Sequence, residues 1–76
     1  MGKAGKALRQ VLDIYGISQN QVAINMGIRP ANVSRWVNEA RDPGAESVLE
    51  IRDALKKIAP DAANKFISLY FNDGDG

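Results

Sequence analysis

The sequence predicts one all-α domain built from five short helices, and three observations carry that expectation. Apolar residues recur at helical spacing in successive segments, with no run of the two-residue alternation that marks a strand. Glycine and proline punctuate the pattern at Gly16, Gly27, Pro30, Pro43-Gly44 and Pro60, which leaves only short helices between them. The 76 residues allow one small core, because a chain of this size removes only about 60 to 65% of its unfolded surface from water.

The helices follow in order. Leu8, Val11, Leu12 and Tyr15 stand at i, i+3, i+4 and i+7, the buried face of a first helix from about residue 3 to a C-terminal cap at Gly16. Ser18 with Gln21 three residues later has the form of a capping box, in which each side chain satisfies a free backbone N–H of the first turn. Ile17, just before the cap, is placed to pack on Val22 as a hydrophobic staple. Val22, Ala23 and Met26 form the inner side of this second, short helix, which stops at Gly27.

Pro30 opens the third helix, where its missing N–H costs nothing. Arg29 before it cannot accept as a serine or aspartate cap would, a loss of about 1 kcal/mol that Pro30 partly offsets. At 100° per residue, Val33, Trp36 and Val37 fall on one side and Ala31, Arg35 and Asn38 on the other, with Asn32 and Ser34 flanking the outer face. Trp36 beside two valines reads as core. Asp42-Pro43-Gly44 is turn chemistry, and Val48, Ile51, Leu55 and Ile58 mark a fourth helix from about Ala45 to Ile58. Pro60 opens the fifth, with Ala63, Phe66, Ile67 and Tyr70 inward and Phe71 available for a contact between copies. The domain is expected over residues 1–71, with 72–76 (NDGDG) as a flexible acidic tail.

Composition excludes more than it suggests. Without cysteine there is no disulfide framework, thiolate nucleophile or Cys-ligated zinc, and without histidine most proton-transfer and metal designs lose their usual residue. GKAGK lacks the spacing and hydroxyl residue of a phosphate-binding loop, DGDG lacks the downstream glutamate of a calcium loop, and no carboxylate pair is set for acid and base work. No enzyme, cofactor or metal is expected. The lysines at the N-terminus precede no apolar run of a secretion signal, and no segment approaches the roughly 20 apolar residues of a membrane span, so the expected location is the cytoplasm.

The net charge of +1 hides an asymmetry. Residues 1–41 carry six basic and two acidic side chains, net +4, whereas residues 42–76 carry four basic and seven acidic, net −3. An anionic partner is drawn to the first half.

Helices 2 and 3, joined by a tight glycine-containing turn, have the pattern of a helix-turn-helix. The major groove of B-DNA, about 12 Å wide, admits one helix whose outer side chains are small or polar. Ala31, Asn32, Ser34, Arg35 and Asn38 meet that requirement.

Ser18-Gln19-x-x-Val22-Ala23-x-x-x-Gly27-Ile28, then Val33-Ser34-Arg35-Trp36, then Pro43 ahead of Leu49, Ile51 and Leu55, resembles the lambda repressor and Cro (XRE) type of helix-turn-helix over about residues 7–58. The resemblance implies a five-helix, lambda-repressor-like fold that binds double-stranded DNA, usually as a homodimer on a two-fold operator, to repress or activate transcription in the cytoplasm at the nucleoid. It places Pro30, Ala31 and Arg35 at base edges, with Asn32 and Ser34 beside them, and Gln19 and Asn38 on the phosphate backbone. Arg29 and Arg41 flank the helix as further phosphate candidates. Arg35 is the expected base reader, since a guanidinium can grip O6 and N7 of guanine together, worth about 1 to 3 kcal/mol of discrimination.

Three departures from the family pattern stand out. Glu39 stands where a glycine usually follows helix 3, so the chain there either avoids a positive φ or bears strain, and its carboxylate repels phosphates. Arg29 replaces the usual cap. An arginine in helix 1 and a glutamate in helix 3, paired in many members, correspond to Leu12 and Val37. Exchanging a buried ion pair for packed apolar side chains is often neutral or stabilising, and these two residues are expected to touch. The competing reading is a protein-interaction module, antitoxin-like or coactivator-like, on the same scaffold; Glu39 and the acidic second half support it.

Overall fold

The computed structural model describes residues 3–72, and residues 73–76 of the expected tail lie outside the described residues. Within the described residues five α-helices follow one another: α1 (Lys3–Tyr15), α2 (Gln19–Met26), α3 (Pro30–Val37), α4 (Ala45–Ile58) and α5 (Pro60–Asn72). Among the described residues there is no strand. α5 takes in Asn72, one residue beyond the expected edge of the domain.

Local chemistry sets the ends of the helices. Ser18 Oγ accepts from the Gln21 N–H at 3.0 Å while the Ser18 N–H donates to Gln21 Oε1 at 2.9 Å, so the capping box is complete. α1 and α2 both end in a residue of left-handed conformation, Gly16 at φ 64° and Gly27 at φ 73°. The N–H groups that follow then turn back onto carbonyls left free by the last turn, Ile17 onto Leu12 and Ile28 onto Ala23, each at 3.0 Å. Arg29 makes no side-chain cap, as its chemistry requires, and Pro30 begins α3. α4 carries Glu46 in its first turn and Lys56 and Lys57 in its last, each the sign that the helix dipole favours.

Packing joins the helices around one core. α1 lies on α3 and α5, α2 on α3 and α4, and α4 on α5. Leu8, Val11, Val22, Val33, Ile51, Leu55 and Phe66 are fully enclosed, and Ile17 and Val22 belong to the same apolar cluster, as the staple requires. Trp36 is buried at 8% exposure, which assigns its indole to the core. Leu12 and Val37 are both buried, and both form the floor of a cleft between α1, α2 and α3. Tyr15 Oη donates to the Asp61 carbonyl at 3.3 Å and ties the end of α1 to the start of α5.

One crossing is unusually close. A Cβ on Gly5 would stand 2.0 Å from the carbonyl oxygen of Trp36, so α1 reaches the end of α3 only because residue 5 has no side chain.

Candidate nucleic-acid interface

α3 is an eight-residue helix with two distinct sides. Val33, Trp36 and Val37 are buried against α1 and α2. Pro30, Ala31, Arg35 and Asn38 are exposed, and Asn32 and Ser34 are half-buried at the margins. The outer side chains are paired along the helix: Arg35 Nη1 donates to Asn32 Oδ1 at 3.4 Å, and Asn38 Nδ2 donates to Ser34 Oγ at 3.2 Å. Among the described residues no ion pair joins Arg35 to Glu39, whereas Arg52 pairs with Asp53 on α4 at 3.0 Å. The Arg35 guanidinium is therefore held by a neutral amide and keeps its charge uncompensated by a carboxylate.

The remaining candidates surround this helix. Arg29 at its N-terminal end and Arg41 beyond its C-terminal end are exposed. Gln19, half-buried at the start of α2, lines the same cleft as Asn38, so two residues from different helices come together where sequence distance alone would not put them. Arg9 of α1 lines that cleft too. From the sequence alone Arg9 enters only the charge balance; its place at the margin of the α1 stripe, between Leu8 and Leu12, is the one local signal that marks it.

Glu39 is the strained position of the interface. Its φ of 60° makes it the one non-glycine with positive φ among the described residues. The cause is the termination of α3: the Glu39 N–H donates to Trp36 O at 3.0 Å and the Ala40 N–H to Arg35 O at 2.9 Å, the pair of bonds that closes a helix through a left-handed residue. Of the two alternatives for this position the chain takes strain, which costs a side-chain-bearing residue roughly 1 to 2 kcal/mol.

A compact set of five helices in which a short, outward-facing third helix is braced by a second across a glycine turn defines a helix-turn-helix domain. The helix-turn-helix family model HTH_3, of lambda repressor and Cro (XRE) type, matches residues 8–61, well over half of the chain. The chain belongs to this family of DNA-binding domains. No curated protein and no solved structure matches significantly. Among the described residues no helix is long and apolar enough to cross a membrane.

Proposed function

We propose that this protein is a sequence-specific transcriptional regulator that inserts α3 into the major groove of double-stranded DNA. The observation that carries the reading is the two-sided character of α3, with its apolar residues buried and a short, polar, arginine-bearing face left to solvent. In this reading Arg35 grips guanine. Asn32 and Ser34 offer hydrogen bonds to neighbouring base edges, and Pro30 and Ala31 make apolar contact of the kind a thymine methyl accepts. Gln19, Arg29, Asn38 and Arg41 hold the backbone and fix the register.

A single eight-residue helix reads only a few base pairs, so the protein acts as a homodimer on half-sites about 34 to 36 Å apart. Self-association is supported by exposed Leu49 and Phe71, which border an apolar groove between α4 and α5 with Val48, Ile67 and Tyr70. Regulation is by occupancy of the site, in the cytoplasm where the DNA lies.

The same groove also suits the docking of another protein, and salt dependence separates the two readings. Binding that neutralises several phosphates weakens with salt at a slope of about −0.9 per phosphate, whereas apolar docking does not. The decisive experiment selects bound sequences from random duplex DNA with wild type and Arg35→Ala. A two-fold site whose guanine preference relaxes in the variant is expected. An unchanged motif removes Arg35 as a reader, and no enrichment with either protein rejects the DNA reading in favour of partner docking.

A further inference from the structure

We infer that Arg9 of α1 is a phosphate-binding residue, seating a DNA phosphate in the cleft between α1, the start of α2 and the end of α3. The inference rests on the DNA-binding reading above and adds a contact, and a helix, that it does not include.

The cleft, about 420 Å³, has an apolar floor of Leu12 and Val37 and a polar rim of Arg9, Asp13, Gln19 and Asn38. Gln19 and Asn38 can each donate a hydrogen bond to a phosphate oxygen, but neither carries charge. Affinity for a polyanion comes mainly from counterions released when cations neutralise phosphates, which amides cannot supply. Arg9 is the one cation lining the cleft. Its side chain is exposed, and among the described residues no ion pair engages it, including with Asp13 four residues along the same helix.

The charge distribution gives Arg9 a particular weight. The segment between α3 and α4 carries Glu39 and Asp42 against Arg41, so the attraction of Arg41 for phosphate is offset there. α1 carries Lys3, Lys6 and Arg9 against Asp13. The close crossing at Gly5 holds α1 against the end of α3, which brings the basic helix to the flank of the reading helix. Asp13 limits the effect, because its carboxylate lies on the same rim.

The test is fluorescence anisotropy of labelled duplexes across a salt series, with wild type, Arg9→Gln, Asp13→Asn and Lys65→Gln. Lys65→Gln removes the same charge from an exposed position of α5, outside the cleft and outside the groove between α4 and α5. Far-UV circular dichroism and melting of each variant establish equal folding, which the exposure of Arg9 favours. Arg9→Gln is expected to weaken binding about tenfold on selected and random duplexes alike, as for one charge-assisted hydrogen bond. It should also flatten the salt slope by about 0.9, one phosphate's share. Asp13→Asn should tighten binding, and Lys65→Gln should leave the slope unchanged. Arg9→Gln indistinguishable from Lys65→Gln overturns the inference and leaves the DNA reading standing. Wild type that binds no duplex at low salt removes that reading, and this inference with it.

Discussion

Replacing Gly5 with alanine sets helix propensity against packing. On an exposed helix the change gains about 1 kcal/mol. At this site the new Cβ would lie 2.0 Å from the Trp36 carbonyl oxygen and 3.1 Å from its carbon. Nonbonded carbons rest at about 3.5 to 4.0 Å, so α1 must lift away from the end of α3 by roughly 1 Å or more. The obstacle is backbone, and no side-chain rotation relieves it. A gap of about 0.5 to 1 Å forfeits a quarter to a half of each dispersion contact across it. The buried side chains beside the crossing, Ala4 and Leu8 on α1 and Trp36 and Val37 on α3, would feel that loss. Overpacking costs about 1 to 3 kcal/mol, and a rigid backbone obstacle places this case at the upper end. After the propensity gain the expected net loss is about 2 kcal/mol, a fall in Tm of roughly 8 °C or more for a domain of this size. Urea unfolding followed by Trp36, the single tryptophan, measures it directly. Lys6→Ala, exposed on the same helix, serves as the control and should stay within about 0.5 kcal/mol of wild type. Gly5→Ala as stable as wild type, or more stable, would refute the close-crossing argument.

Further outcomes follow from other positions. Glu39→Gly should be more stable than Glu39→Ala by about 1 kcal/mol, because both remove the carboxylate and only glycine relieves the positive φ; equal melting temperatures would show that the position bears no strain. Ser18→Ala should cost about 1 kcal/mol by opening the capping box, with faster hydrogen exchange at the Gln21 amide as the local signature. Phe71→Ser should leave the melting of the monomer nearly unchanged, since the ring is 72% exposed. In the homodimer reading it should also weaken self-association in sedimentation and lower affinity for a two-fold site more than for a half-site.

Much of the fold was legible because its causes are local. The stripe from Leu8 to Leu12, the Ser18 and Gln21 box and the break at Gly27 each act within a few residues, and a helix is specified by contacts within one or two turns; Tyr15, expected on the same buried face, is instead exposed, its hydroxyl reaching across to α5. The two sides of α3 followed from periodicity alone, and burial of Val33, Trp36 and Val37 agrees residue by residue. Family membership was legible for a related reason: the motif is a sequence of local breaks and caps in fixed order.

The sequence by itself therefore determined the helices, their ends and which face of α3 looks outward. The conformation of Glu39 stood between two alternatives, and the hydrogen bonds closing α3 decided it. Only the tertiary structure decided that Gly5 is a packing residue and that Arg9, Gln19 and Asn38 border one cleft. These facts depend on how α1 crosses α3 and where α2 begins, which joins residues about thirty positions apart. Such a crossing is set by the fit of whole helix surfaces, and no periodicity within either helix contains it.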